Sequence, residues 1–166
     1  MTAGEWLKIA LVGRSVKRTL IRLCVVAVTA FVVFRFVFPP VVTRGVSMEP
    51  TFADGRLHFV NTLSFRNRSP RPGDIVVVAL AGRRAMYLKR VLAGPGERME
   101  LRDGVLLVDG EVREEPYLVD PGDWTLPEME LGADEYFVAG DNRTMPMEEH
   151  KAGVVVGADI VGGLLF

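Results

Sequence analysis

Ser47 lies in Arg44-Gly45-Val46-Ser47-Met48-Glu49-Pro50-Thr51, and Lys89 in Met86-Tyr87-Leu88-Lys89-Arg90-Val91-Leu92. A serine hydroxyl becomes a nucleophile when a base reaches it. A lysine stripped of water by apolar neighbours loses pKa until it can accept a proton near neutral pH. The pair would support acyl transfer with no histidine. Each residue also has a plainer reading. Ser47, bracketed by Gly45 and Pro50, is a turn former, and Lys89 is a strand-edge charge that deters aggregation. Composition and spacing leave both readings open.

The remaining inventory is short. There are four serines, Ser15, Ser47, Ser64 and Ser69, and four lysines, Lys8, Lys17, Lys89 and Lys151. His58 and His150 are the only histidines and neither has ligand spacing, so no metal site and no cofactor are expected. Cys24 is the single cysteine, which excludes an internal disulfide and a thiolate cluster; within an apolar run it reads as a small hydrophobe. A net charge of -1 argues against a nucleic-acid partner. Gly140-Asp141-Asn142-Arg143 reads alone as an Asx-type turn. A Ser–His–Asp hydrolase through either histidine lacks a Gly-x-Ser-x-Gly elbow.

The elements that must carry these residues fall into two kinds. From Leu20 to Phe38 the chain is apolar except for Arg22 and Arg35 near its ends. That length is close to the roughly 20 residues a helix needs to cross a bilayer. Pro39-Pro40 stops the helix. Residues 1–22 carry Lys8, Arg14, Lys17, Arg18 and Arg22 against Glu5, a basic flank that places the N-terminus in the cytoplasm. The division expected is a cytoplasmic head over 1–19, a membrane span over 20–38 and an extracytoplasmic domain over 39–166. A cleavable leader would share the basic head, but Val28-Thr29-Ala30, the one small-x-small match, sits in mid-run. A core helix would not be apolar on every face. Trp6–Val12 reads as an interfacial helix.

After the span the pattern changes to short apolar runs separated by turn formers. Val41-Val42, Leu57–Val60, Ile75–Leu80, Met86–Leu92, Val105–Val108, Tyr136–Ala139 and Val154–Val156 read as strands. Asp54-Gly55, Pro72-Gly73-Asp74, Gly94-Pro95-Gly96, Asp103-Gly104, Asp109-Gly110 and Pro121-Gly122 read as turns. This predicts a mostly β fold, an antiparallel barrel-like or folded sheet behind one N-terminal transmembrane helix. Residues 98–135 look like an excursion that opens with a hairpin at Asp103-Gly104. Pro116, Pro121 and Pro127 argue against regular structure in the rest. A lid, a small subdomain and a solvated loop all fit it.

Taken together, four segments behind the span resemble, in order, the boxes of type I signal peptidases, the bacterial leader peptidases and their mitochondrial inner-membrane relatives. They are Gly45–Thr51, Arg71–Val77, Tyr87–Glu97 and Gly140–Arg143. The resemblance implies a membrane-bound serine endopeptidase that removes signal peptides from exported preproteins. It implies one pass through the plasma (inner) membrane, with the catalytic domain on the outer face. Ser47 would be the nucleophile and Lys89 the general base. Gly45 and Asp141 would support the site and its oxyanion. Val42, Thr43, Met48, Tyr87 and Leu88 would line a shallow pocket for small side chains. The implied partners are signal peptides and the lipid bilayer.

The last box departs from the family pattern. Pro146 stands where a serine normally orients the lysine, and Thr144 is the candidate replacement hydroxyl. Glu148 and His150 stand where an Asp and an Arg usually pair. These departures motivate an alternative, an inactive or specialised relative acting as a partner subunit. A pilin-type processing peptidase would use the same dyad. A self-cleaving repressor would need a helix-turn-helix for which the segment before the span leaves no room.

Overall fold

A computed structural model describes residues 15–80 and 85–165. The expected interfacial helix at Trp6–Val12, with Lys8 and Arg14, lies outside the described residues. The chain forms two units, Met1–Pro39 and Pro40–Phe166.

In the first unit, helix α1 covers Val16–Val32 and continues as a wider π turn over Val33–Val37. The helical stretch Val16–Val37 is 22 residues, long and apolar enough to cross a membrane. It starts earlier than the apolar run because Val16–Thr19 are already helical, with Thr19 N–H donating to the Ser15 carbonyl. None of its side chains is buried, unlike those of a core helix. Phe38 precedes Pro39 and takes φ −126, because the proline ring disfavours the helical region for the residue before it.

The second unit is built from strands. They are β1 (Pro40–Val42), β2 (Leu57–Asn61), β3 (Ile75–Leu80), β4 (Ala85–Ala93), β5 (Arg98–Arg102), β6 (Val105–Val108), β7 (Glu111–Val112), β8 (Leu126–Glu130), β9 (Glu135–Ala139), β10 (Gly153–Val156) and β11 (Ile160–Leu165). They pair antiparallel in two sheets, ordered β1-β2-β11-β3-β4-β9-β10 and β7-β6-β5-β8. The fold is therefore mostly β, as the alternation and turn spacing predict.

β3 reads as an uninterrupted apolar run because both its faces are covered. Val76 and Val78 pack with Val91, Tyr136, Val138 and Val155. Val77 packs separately with Val60 and Leu164. The third cluster joins the sheets, with Leu92, Phe137 and Ala139 meeting Met99, Leu101, Leu106 and Trp124.

Two expectations need correction. The irregular part of 98–135 is shorter than expected: residues 113–125, with Pro116 and Pro121, hold no strand or helix, but Pro127 lies inside β8. Proline is tolerated there because β8 pairs only with β5, at the sheet's edge. The register also slips between Met99↔Met129 and Leu101↔Leu126, which gives Pro127 a bulge. β11 has no counterpart in the sequence reading because Gly162-Gly163 weakens its pattern. Gly162 is nonetheless needed: a Cβ there would sit under 3.0 Å from the Asn61 carbonyl oxygen. The Asp103-Gly104 hairpin is as expected, with both residues at positive φ, 47 and 80.

Candidate active site

Ser47 sits in the loop from β1 to β2, and that loop is tied at its neck. Thr43 N–H donates to the Arg56 carbonyl and Gly55 N–H to the Thr43 carbonyl, both at 2.9 Å. The Thr43 hydroxyl donates to the Ala53 carbonyl, also at 2.9 Å. Gly45, at φ 87, supplies the left-handed corner and donates its N–H to Asp54 Oδ1 at 2.8 Å. Its N–H is thus spent on shaping the loop and is not a free donor for an oxyanion. The next turn closes from Glu49 N–H to the Val46 carbonyl, and Met48 is buried beneath it.

The segment after β9 pins this loop from the other side. Asn142 N–H donates to the Ser47 carbonyl at 3.1 Å. Asn142 Nδ2 donates to the Val46 carbonyl at 3.2 Å, and the Thr51 hydroxyl to Asp141 Oδ2 at 2.5 Å. Gly140 permits this approach. A Cβ on it would sit under 3.0 Å from both the Ser47 carbonyl oxygen and the His150 ring.

Lys89 lies within β4, opposite Val76 in the ladder, and is 2% exposed. Its Nζ is 3.4 Å from Ser47 Oγ and donates to the His150 carbonyl at 2.6 Å. Burial lowers its pKa to about 8, against an opposing pull from the Asp141 charge. The structure therefore brings Ser47 and Lys89 together, and at mildly alkaline pH much of the amine is neutral.

Asp141 supports this corner through a pair that the sequence reading missed. Arg90 donates from Nε to Asp141 Oδ1 at 2.8 Å and from Nη2 to Oδ2 at 2.7 Å. The fork is almost fully buried, and Arg90 stacks over the Tyr117 ring at 3.8 Å. Arg143, buried beside it, donates from Nη2 to Glu115 Oε1 at 2.5 Å. Glu115 also accepts the Tyr117 hydroxyl. Two arginines adjoining the site are thus held by the strap between β7 and β8. No sequence spacing announces these pairs, which are contacts across the fold.

The replacement roles expected in the last box do not form. The Thr144 hydroxyl is exposed and donates to Asn142 Oδ1 at 2.7 Å, so it does not orient Lys89. Glu148 is exposed, whereas His150 is 1% exposed and unpaired with it. The His150 ring accepts from Gly140 N–H at Nδ1, 3.3 Å, and meets Trp124 edge-on with centroids 4.7 Å apart. Burial, then the Lys89 charge, lowers its pKa to about 4, so it is neutral near pH 7.

A cleft of about 510 Å³ opens beside Ser47. Val42, Thr43, Met48, Tyr87 and Leu88 all line it, together with Val77 and Met86. Its walls are β1 and the first half of β4. Among the described residues no cluster of three or more His, Cys, Asp or Glu side chains could hold a metal ion.

Known proteins resemble this chain over most of its length. The family described as signal peptidase, peptidase S26, matches residues 16–166. A probable signal peptidase I-1 of Synechocystis is 30% identical over 159 residues, covering 91% of this chain and 81% of its own. Signal peptidase IB of Staphylococcus aureus is 30% identical over 165 residues, covering 89% of this chain and 86% of its own. A crystal structure of a signal peptidase I from Enterococcus faecalis aligns at TM-score 0.48 and 25% identity, over 59% of this chain and 98% of its own.

Proposed function

The chain belongs to the signal peptidase family, peptidase S26, and on that premise we propose that Ser47 is its nucleophile and Lys89 its general base. Family membership makes it a serine peptidase of the signal peptidase I type, acting on the signal peptides of preproteins. The observation that supports the dyad is the 3.4 Å approach of Lys89 Nζ to Ser47 Oγ by a lysine that burial has made a weaker base. Hydrogen bonds of this kind shorten once substrate closes the site.

In this account neutral Lys89 takes the Ser47 proton as Oγ attacks the scissile carbonyl carbon. The tetrahedral oxyanion accepts from the Ser47 N–H. Lys89 then gives its proton to the leaving amine nitrogen, and the C–N bond breaks to leave an acyl-enzyme ester. Water, losing a proton to Lys89, attacks the ester carbonyl, and the C–O bond breaks as Lys89 returns that proton to Ser47 Oγ. The cleft beside Ser47 takes the side chains that precede the cut. The resemblance to signal peptidases, with the apolar lining of Val42, Val77, Met86 and Leu88, points to short apolar side chains there.

The helix over Val16–Val37 crosses the inner membrane once, with the N-terminal head cytoplasmic and the domain from residue 39 onward on the outer face. Residues 98–135 form a small subdomain of that exterior part, centred on the sheet β7-β6-β5-β8.

The test is cleavage of a preprotein carrying an Ala-x-Ala site by the detergent-solubilised full chain, beside Ser47→Ala and Lys89→Ala. Cleavage after the last alanine, lost in both variants, is the expected result. Activity retained in either variant would refute the dyad. No cleavage by the unsubstituted protein between about pH 6 and pH 10 would favour a partner-subunit role.

A further inference from the structure

Among the described residues Lys89 Nζ has two hydrogen-bond neighbours, and the tighter contact is not to Ser47. It is the 2.6 Å bond to the main-chain carbonyl of His150, against 3.4 Å to Ser47 Oγ. The backbone that offers this carbonyl is held from several sides. Pro146, at φ −53 and ψ 136, opens a single 3-10 turn over Met147–Glu149. That turn closes from Glu149 N–H to the Pro146 carbonyl and from His150 N–H to the Met147 carbonyl, both at 3.1 Å. Before it, Trp124 Nε1–H donates to the Met145 carbonyl at 2.8 Å. After it, the His150 ring is wedged between Gly140 N–H and the Trp124 face. Gly122 lets the strap come this close, since a Cβ there would sit under 3.0 Å from the Arg143 carbonyl.

We infer that the His150 main-chain carbonyl orients the Lys89 amine toward Ser47, with His150 and Trp124 as positioning residues that hold that carbonyl in place. The inference rests on the Ser47–Lys89 reading above. Its chemistry follows from what a carbonyl can do. A hydroxyl in the same place could donate and occupy the lone pair of a neutral amine, whereas a carbonyl only accepts. One N–H of neutral Lys89 is therefore committed to His150, and the lone pair stays free for the Ser47 proton. Pro146 becomes a functional part of the design, because its fixed φ starts the turn that aims the carbonyl. The strap from β7 to β8 gains a role as the brace of the last active-site segment. The titratable groups around the amine are Ser47, Asp141 and the His150 ring.

The direct test replaces the His150–Lys151 amide by an ester, with Lys151 supplied as its α-hydroxy acid in the full chain. Every side chain is kept, and among the described residues the lost Lys151 N–H has no hydrogen bond. An ester carbonyl is a weaker acceptor, and hydrogen bonds to a charged amine weaken more than those to a neutral one. The expected result is kcat lower by about tenfold with KM within about twofold, and the acid limb of kcat/KM moved down by roughly half a pH unit. An ester protein with unchanged kcat and an unchanged limb overturns the inference.

Trp124→Phe and Trp124→Ala give a second route that needs no backbone chemistry. Phe keeps the ring against His150 but loses the bond to Met145, so kcat should fall in the order Trp, Phe, Ala with KM steady. Full kcat in a folded Trp124→Ala protein would equally overturn it. Ser47→Ala and Lys89→Ala run alongside. If either still cleaves, the dyad itself fails; if both are dead while the ester and Trp124 variants are normal, only this inference fails.

Discussion

Replacing Asp141 by Asn tests the support of the site with two readouts that move independently. Asp141 is fully buried and receives the Arg90 fork at 2.7 and 2.8 Å and the Thr51 hydroxyl at 2.5 Å. Asn keeps the shape and one acceptor, but its amide nitrogen faces a donor and the Arg90 charge loses its counter-charge. Breaking a buried pair by removing one partner costs about 3–5 kcal/mol, and the retained acceptor argues for the lower end, about 3 kcal/mol. At about 4 °C per kcal/mol for a domain of this size, Tm should fall by about 12 °C. The Asp141 charge also raises the Lys89 pKa against the effect of burial. Its loss therefore carries Lys89 further below 8, and the acid limb of kcat/KM moves to lower pH. Thermal melts of the detergent-solubilised protein and a pH–rate profile measure both effects. A Tm within about 3 °C of the unsubstituted protein, or a limb that moves upward, would mean that Asp141 does not hold this corner as a buried ion-pair partner. Arg90→Met with Asp141→Leu should cost less than the two single substitutions added together.

Other outcomes follow from the same contacts. Thr144→Val should leave cleavage within about twofold, because the hydroxyl is exposed and bonded only to Asn142; a preprotein assay checks it. Gly140→Ala should destabilise by about 2 kcal/mol or more and abolish most activity, since its Cβ would collide with the Ser47 carbonyl and the His150 ring; urea unfolding reads the first effect. His150 has a folded pKa of about 4 against 6.5 unfolded. The unfolded chain therefore binds more protons between those values, and stability is lost as pH falls from 6.5 toward 4. His150→Phe should flatten that part of a Tm–pH curve.

Local signals made much of the site legible in the sequence. The N-terminal apolar helix showed in the run ending at Pro39-Pro40, and β3 and β4 in runs too short for helices. Ser47 and Lys89 are singled out by the resemblance of their segments to the signal peptidase boxes, since the scarcity of other serines and lysines leaves their plainer readings open. The loop prolines misled at Pro127, where an edge position and a bulge accommodate a ring that a central strand would reject. β11 hid behind Gly162-Gly163, whose smallness serves a close backbone approach. The pairs Arg90–Asp141 and Arg143–Glu115 join residues 51 and 28 positions apart, and such partners are chosen by the fold, not by any periodicity. The group nearest Lys89 was the hardest to foresee. Thr144 is the side chain the sequence offers in place of the family's serine, whereas the group that accepts from Lys89 is a main-chain carbonyl and carries no residue-type signature.

Catalysis by this pair requires Lys89 to be a base weak enough to be neutral when Ser47 must lose its proton. With four lysines in the chain, NMR of side-chain nitrogens in ¹⁵N-lysine protein, assigned by Lys89→Arg, follows the Lys89 titration directly. One lysine signal should titrate near pH 8 and be absent from the variant. A Lys89 signal that titrates at about pH 10 or above, as an unburied amine does, would rule out a neutral base at this site.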